Sequence, residues 1–342
     1  MHSTGIKRKM ASVQVISSLN PIPGADRIEA ATVLGWTVVV RKEQFAPGDK
    51  VVFCELDSMI PRNPASEFLF NDPESTVFRV RTMRLRGQLS QGMVFPLNDM
   101  YQGDIEVGTD LSDELGITQY QPPAPNVDYA IGPFPVTIPK TDEVRIQSYP
   151  GLLDEIRGMD YQITQKIDGT SATYWFGPDG PDYGFGMASR NLSLKTDGMY
   201  NSPYHKIEEK YGIGDKLKAL ADGGRYIAIQ GEIAGPGIQS NRGGLDELSF
   251  FMFSVLDLRT GDYLPLSQGP PTIPTVPILE EGKSFNYSLD CLMEKIDTYQ
   301  RASDRPQEGI VVRNKYPTFS VTLGGVLSFK VISPRYLMNI GE

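Results

Sequence analysis

The feature that most constrains the fold is a proline-rich segment near the middle of the chain. Residues 121–140 read QPPAPNVDYAIGPFPVTIPK and contain six prolines without an apolar period. Proline fixes φ and lacks the backbone donor, so such a run is typical of a linker rather than of a packed element. At 342 residues the chain also exceeds one typical domain. We therefore predict two domains, at 1–120 and 141–342, joined by a linker at 121–140.

The first predicted domain reads as short β-strands separated by turn signals such as NPIPG and PGD. The predicted strands are residues 12–19, 31–40, 51–56, 78–85 and 93–97. Closely spaced strands of this kind are typical of a small barrel, and they favour the oligonucleotide-binding (OB) β-barrel.

Four arginines follow one another along the segment FRVRTMRLRG at 78–87. They are Arg79, Arg81, Arg84 and Arg86. Charge on an exposed edge strand protects it from aggregation, whereas the same arginines on an OB barrel can bind phosphates. The sequence leaves both interpretations open.

The second domain carries strands and helices that do not alternate regularly, which favours the α+β class over a doubly wound sheet. Its first clear strand, at 161–166, delivers Lys166 to its end and is followed by Ile167-Asp168-Gly169. A lysine made neutral by desolvation or by a nearby cation is a competent nucleophile, so we hypothesise that its amine attacks the α-phosphate of a nucleotide. Gly169 is expected to allow a sharp turn. K-x-D-G alone is weak, because it is also compatible with a surface turn.

Carboxylates and a second lysine stand at other strand ends of this domain. Glu232 ends the run YIAIQGEI, Glu308 precedes GIVVR, and Lys330 lies inside LSFKVIS. With Asp168, the two glutamates can surround a hydrated Mg²⁺, which prefers oxygen ligands, and a phosphate is a credible partner for Lys330. Taken singly, each has a structural alternative: the glutamates as rim carboxylates paired with Arg or Lys, and Lys330 as a solvent-facing side chain.

Composition excludes several classes of protein. Only two histidines and two distant cysteines are present, so Ser-His-Asp chemistry, zinc sites and a disulfide framework have few residues to use. The net charge of -9 argues against non-specific coating of nucleic acid, although it allows a local basic groove. No P-loop motif occurs, which argues against an ATP site of the P-loop kind. No signal peptide or membrane span is found, so we expect an intracellular protein. Both cysteines are expected to be buried thiols.

Ordered motifs give the second domain a family resemblance. In chain order they are KIDG at 166–169, SRN at 189–191, QGE at 230–232, FSVLD at 253–257, EGIV at 308–311 and FKV at 329–331. This set resembles the covalent nucleotidyltransferases, which comprise ATP-dependent RNA and DNA ligases and messenger-RNA capping enzymes. The first half resembles the OB barrel that precedes the transferase domain in RNA ligases of the Naegleria type. The resemblance implies a nucleotidyltransferase domain of antiparallel sheets flanked by helices.

The resemblance also implies residue roles. Lys166 would form the lysyl-AMP phosphoramidate, and Lys330 would contact the α-phosphate. Asp168, Glu232 and Glu308 would hold the catalytic metal, Mg²⁺ or Mn²⁺.

Four further residues would bind the nucleotide. Arg190 would reach the ribose or the phosphates, and Phe253, which composition alone leaves as a core aromatic, would stack on adenine. Gln165 would read the exocyclic amine, and Arg145 is a candidate for the triphosphate tail. One departure is Ser328, because many relatives carry a lysine there, so another group must neutralise part of the phosphate charge.

These residues predict an ATP-dependent RNA ligase that joins 3′-hydroxyl and 5′-phosphate ends through lysyl-AMP and RNA-adenylate. The expected partners are the ends of nicked or broken RNA, and the expected state is a monomer without membrane association. The alternatives are a DNA ligase, a capping guanylyltransferase and a catalytically inactive nucleic-acid-binding module. The sequence ends at Glu342, soon after the last motif, and therefore favours RNA ligase over relatives with a C-terminal barrel.

Overall fold

The computed structural model describes residues 8–122, 127–177, 184–303 and 305–340. The chain divides into two units, one built mainly from Lys7–Pro122 and the other mainly from Pro123–Tyr336. We call them the N-terminal unit and the C-terminal unit. The division falls inside the segment 121–140, whose bounds as a linker stay a prediction. None of the helices in the described ranges is long and apolar enough to span a bilayer.

The N-terminal unit consists of short antiparallel strands around one apolar core. Its elements are β1 (Ala11–Val15), β2 (Ser18–Pro21), β3 (Ile28–Val33), β4 (Trp36–Arg41), β5 (Lys50–Cys54), β6 (Ser58–Pro61), β7 (Val77–Arg79), β8 (Met83–Leu85), β9 (Gln88–Ser90), β10 (Met93–Pro96), α1 (Leu97–Met100) and β11 (Thr118–Gln119). The strand orders are β1-β5-β10, β2-β3-β4 and β11-β6-β7, and β8 pairs with β9 as a hairpin. Trp36, Phe53 and Phe95 are buried in the core.

One predicted strand of this unit is a hairpin. Residues 31–40 contain the end of β3, a turn at Leu34-Gly35, and most of β4. Both turn residues have positive φ, 52° and 79°, which suits the tight turn between two antiparallel strands. The sequence does not indicate this turn, because leucine rarely adopts a positive φ and Leu34 lies within a mostly apolar run.

The C-terminal unit holds two larger sheets and five of the helices in the described ranges. Its strands are β12 (Ala130–Pro133), β13 (Val144–Arg145), β14 (Tyr161–Lys166), β15 (Thr170–Gly177), β16 (Gly184–Ser189), β17 (Leu192–Leu194), β18 (Ile227–Ala234), β19 (Ser249–Asp257), β20 (Tyr263–Leu264), β21 (Ile278–Gly282), β22 (Gly309–Asn314), β23 (Phe319–Ser320), β24 (Gly325–Val326) and β25 (Ser328–Ile332). Its helices are α2 (Leu152–Glu155), α3 (Pro203–Tyr211), α4 (Ile213–Asp222), α5 (Leu289–Arg301) and the beginning of α6 (Pro334–Ile340), which belongs to this unit as far as Tyr336.

The two sheets each bury an apolar face under helices. The seven-stranded sheet has the order β12-β17-β16-β15-β18-β19-β20, and the five-stranded sheet has the order β13-β25-β22-β14-β21. Ile207 of α3 and Leu217 of α4 pack in the core of the first, and Leu292 and Ile296 of α5 pack in the core of the second. Pairing is antiparallel except between β13 and β25. The predicted α+β class with an N-terminal OB barrel is confirmed.

Local sequence signals explain where the helices begin and end. The predicted helical segment at 203–221 is two helices, because Gly212 adopts the left-handed conformation (φ 56°) that ends α3. Helix α5 covers the predicted residues 289–301 and starts at Ser288, whose hydroxyl accepts a hydrogen bond from the backbone of Cys291. Cys54 is a buried free thiol, whereas Cys291 is exposed, contrary to expectation.

The second half of the proline-rich segment is packed. β12 pairs with β17 at the edge of the seven-stranded sheet, and the side chains of Phe134 and Ile138 are buried. The expectation that no element packs here is therefore wrong for 130–138. An edge strand tolerates a proline at its end, as at Pro133, because the missing N–H can face away from the sheet.

Replacement of Gly309 by alanine should destabilise the C-terminal unit by about 1–3 kcal/mol. A Cβ there would lie 2.2 Å from the carbonyl oxygen of Val331 on the neighbouring strand, and a backbone atom cannot move aside cheaply. Gly151→Ala is the control, since nothing lies within 4 Å of its Cβ position. Scanning calorimetry should show a lower unfolding temperature for Gly309→Ala than for Gly151→Ala; equal temperatures would contradict this packing.

Candidate active site

The chain crosses from one sheet to the other between Lys166 and Thr170. β14 ends at Lys166 in the five-stranded sheet, and β15 begins at Thr170 in the seven-stranded sheet. A Cβ on Gly169 would lie 2.2 Å from the carbonyl oxygen of Ile233. Gly169 does not have a positive φ. The backbone bends at Gly169, as expected, but glycine is needed there because two backbones approach closely and not because φ is positive.

Strand pairing brings the other charged residues to this crossing. Lys166 lies opposite Gly309 on β22, so Glu308 comes immediately before that strand. Glu232 on β18 lies opposite the second residue of β15, directly after the crossing. Lys330 on β25 pairs two residues further along β22. The structure thus gathers residues that span positions 166 to 330 of the sequence.

Lys166 forms an ion pair with Glu308. Its Nζ donates a hydrogen bond to Oε2 at 2.8 Å, and the two side chains are 22% and 17% exposed. Burial lowers the pKa of Lys166, but the charges of Glu308, Glu232 and Asp168 together outweigh burial and hold this pKa above its ordinary value. Without a ligand the amine is therefore protonated, and it must lose a proton before it can act as a nucleophile.

For Glu232 and Lys330, neighbouring charges do not offset the effect of burial on the pKa. Burial raises the pKa of Glu232 to about 7, although the charge of Lys166 opposes this. Burial, followed by the charges of Lys166 and Arg145, lowers the pKa of Lys330 to about 8. Both shifts oppose the charged form, so this space favours a ligand that supplies balancing charge.

Asp168 is held by two residues that the sequence did not point to. Arg242 Nη1 donates to Asp168 Oδ2 at 2.9 Å and to the hydroxyl of Tyr336 at 3.1 Å. The Tyr336 hydroxyl also hydrogen-bonds to Asp168, and burial is the main cause that raises its pKa. Arg242 comes from a loop after β18, and Tyr336 from α6. Nothing in the loop sequence SNRGG distinguishes this arginine from a solvated one.

The predicted metal ligands lie around Lys166, but two of them face cations. Within the described ranges, no group of three or more His, Cys, Asp or Glu side chains is arranged to hold a metal ion. Glu308 pairs with Lys166, and Asp168 pairs with Arg242. Glu232 is largely buried, and neighbouring cations do not fully offset the cost of ionising its carboxylate, which could act as an oxygen ligand. The donor set suits a hard divalent cation, and the metal assignment stays a prediction.

Three other residues are predicted to bind the nucleotide, and each has a defined contact in the structure. Arg190 pairs with Asp142 at 2.6 Å, and both side chains are more than half exposed. Arg145 on β13 pairs in parallel with Lys330 on β25. Gln165 precedes Lys166 on β14, and its backbone N–H donates to the carbonyl of Pro277 at 2.9 Å. Their assigned roles stay predictions.

A cavity of about 910 Å³ lies within the C-terminal unit and is lined by Phe253. Arg313 also lines it, with its guanidinium 5.4 Å from the centre of the Phe253 ring. The same guanidinium pairs with Glu143 at 2.9 Å and donates to the Ser328 hydroxyl at 3.3 Å. Arg313 therefore places a cation beside the serine that stands where many relatives carry lysine. Sequence reasoning missed it, although it is the last residue but one of β22, the strand that follows Glu308.

Glu232→Gln should change how stability depends on pH in the metal-free protein. The pKa of Glu232 is raised, so wild-type stability should fall as pH rises from 4.5 through about 7, and glutamine removes this loss. Between pH 5 and 8 the variant should gain up to about 3 kcal/mol relative to wild type. Urea unfolding in EDTA measures this. Glu209→Gln, an exposed site on α3, is the control, and parallel pH profiles for all three proteins would contradict the buried-carboxylate geometry.

Comparison with known families and structures agrees with this geometry. Family models match residues 10–97 to an OB-fold domain and residues 159–332 to RNA ligase. A search of curated proteins gave no match.

Several solved structures of Naegleria gruberi RNA ligase align with nearly the whole chain. The form with PPi is 30% identical, with a TM-score of 0.73 and coverage of 96% of this chain and 98% of that chain. The form with ATP and Mn is 30% identical, with a TM-score of 0.72 and coverage of 96% and 97%. A mutant with AMP and Mn is 29% identical, with a TM-score of 0.75 and coverage of 98% and 100%. On the family match and this similarity, the chain belongs to the RNA ligase family.

Proposed function

We propose that this protein is an ATP-dependent ligase that joins a 3′-hydroxyl and a 5′-phosphate RNA end, carrying AMP on Lys166. One observation supports the proposal most: a single lysine ends β14 at the crossing between two sheets, among three carboxylates and a second lysine. Membership of the RNA ligase family supplies the substrate class.

ATP and a divalent cation are the proposed cosubstrate and metal. The related Naegleria gruberi structures include complexes with ATP and Mn and with AMP and Mn, which supports a nucleotide and Mg²⁺ or Mn²⁺ here. Asp168, Glu232 and Glu308 would hold the metal. When bound, it would neutralise phosphate charge and favour the neutral amine of Lys166 by like-charge repulsion.

In the first step the Lys166 nitrogen attacks the α-phosphorus of ATP. An N–P bond forms, the bond to the β-phosphate oxygen breaks, and pyrophosphate leaves. The ammonium first releases its proton to solvent, which ends its ion pair with Glu308 and leaves Glu308 Oε2 available to the metal. The pKa of Lys330 is lowered to about 8 without a ligand, and the negative charge of an α-phosphate beside it would stabilise the ammonium form.

Two further transfers complete the reaction. AMP passes from Lys166 to the 5′-phosphate of one RNA end, with cleavage of the N–P bond and formation of a P–O–P bond. The 3′-hydroxyl of the other end then attacks the activated phosphate, a phosphodiester forms, and AMP leaves. Such transfers depend on positioning and charge neutralisation more than on a general base, which agrees with a site built from lysines and carboxylates.

The cavity beside Phe253 is the proposed adenosine pocket. Its volume of about 910 Å³ suits a small-molecule ligand, and Phe253 provides an aromatic face on which adenine can stack. In the same proposal Gln165 reads the exocyclic amine, Arg190 reaches the ribose or phosphates, and Arg145 binds the triphosphate tail. The monomeric state and the intracellular location stay predictions.

Lys166→Met should abolish covalent adenylylation while the protein stays folded, because methionine has similar bulk but no amine. Incubation with ATP labelled at the α-phosphate and a divalent cation, followed by a denaturing gel, measures the label. The control is Lys206→Met, the same change at an exposed lysine of α3, which should label like wild type. An adenylate found by intact-mass measurement on Lys166→Met would contradict the assignment of the nucleophile.

A further inference from the structure

A stretch of the N-terminal unit has a charge opposite to that of the whole chain. Residues 75–98 contain four arginines and neither aspartate nor glutamate, although the chain has 42 acidic residues and a net charge of -9. At that average, 24 residues would carry about three acids. The positive charge of this stretch is therefore local and unbalanced in sequence.

One of the four arginines has a structural role. Arg79 on β7 pairs with Asp57 at 2.6 Å, and its guanidinium lies 3.6 Å from the centre of the Tyr120 ring. Arg81, Arg84 and Arg86 differ, because all three are exposed, and none forms an ion pair with another residue that the structure describes. Their charges are free to meet a ligand.

The three arginines are presented on a defined hairpin. Arg81 precedes β8, Arg84 lies within it, and Arg86 forms the turn to β9 together with Gly87, both with positive φ (50° and 82°). β9 is anchored to the barrel, since Ser90 is buried and its hydroxyl accepts a hydrogen bond at 2.9 Å from the backbone of Val39 on β4. The pairing of β8 with β9 fixes the backbone of this hairpin, which limits the backbone entropy lost when a ligand binds.

Protection of an edge strand does not explain this pattern. Edge strands are protected mainly by lysine, whereas all four cations of this stretch are arginines. Arginine also presents a planar fork of donors that matches phosphate oxygens. A phosphate backbone repelled by the net charge of -9 needs such a local cationic contact.

We propose that Arg81, Arg84 and Arg86 form a surface that binds the phosphate backbone of the RNA substrate strand. This inference deepens the proposed function and rests on it. Contacts to phosphates position the strand without reading its sequence, so the surface should accept RNA of any sequence. The hairpin is a binding element and takes no part in the transfer of AMP to Lys166.

The test compares the triple variant Arg81→Gln, Arg84→Gln, Arg86→Gln with wild type for binding of a labelled 5′-phosphorylated single-stranded RNA 24-mer. Fluorescence anisotropy at 50 to 200 mM salt gives the dependence of log K on log salt. Loss of three phosphate contacts should reduce that slope by about 2 and weaken binding at 50 mM salt by about tenfold or more. The matched control, Arg27→Gln, Lys42→Gln, Lys50→Gln, removes three exposed positive charges elsewhere in the same unit and should keep the wild-type slope.

A second variant and a second measurement separate the outcomes. Arg81→Lys, Arg84→Lys, Arg86→Lys keeps the charges and should retain most of the slope. Labelling with ATP needs no RNA and should equal wild type in every variant. Wild-type labelling together with unchanged RNA binding by the glutamine variant, or with an equal loss in the control, would overturn the surface but leave the ligase intact. Absence of labelling in the wild type would instead refute the proposed function.

Discussion

Charge balance around Lys166 is the constraint on which the rest of the site depends. Three carboxylates and two lysines share a largely buried space, in which the pKa of Lys166 is raised, that of Glu232 is raised and that of Lys330 is lowered. Glu308 stabilises the ammonium of Lys166, while that same charge disfavours the ammonium of Lys330. Phosphate groups would stabilise the charged form of Lys330, and a divalent cation would stabilise the charged form of Glu232. In the ligand-free site, burial thus disfavours the charged forms of Glu232 and Lys330.

The sequence predicted those parts of the fold for which local signals are strong. Helix α5 could be predicted because Ser288 caps an amphipathic run, and β22 because an apolar run follows Glu308. The hairpin at Leu34-Gly35 and the packed strand β12 could not, since the first places leucine in a rare conformation and the second depends on an edge position in the sheet. In both cases tertiary context overrides local propensity.

The candidate site shows the same division. Lys166, Glu308 and Lys330 could be named in advance, because polar residues at the ends of apolar strands stand out and their order matches a family. Arg242 and Arg313 could not, because an arginine in a loop or at a strand end is usually solvated. Their importance comes from the partners that folding brings to them, Asp168 and Phe253. Sequence patterns thus identify the charged residues at strand ends better than the arginines that contact the same site.

The long separation between Lys166 and Glu308 has a consequence for the order of folding. The two residues are 142 positions apart, and the pairing of β14 with β22 that joins them closes a loop of similar length. Contacts of this range form late, because the entropy of the intervening chain must be given up first. Before β14 and β22 pair, Lys166 would lack Glu308 beside it. The ion pair between Lys166 and Glu308 therefore depends on tertiary structure and not on local sequence.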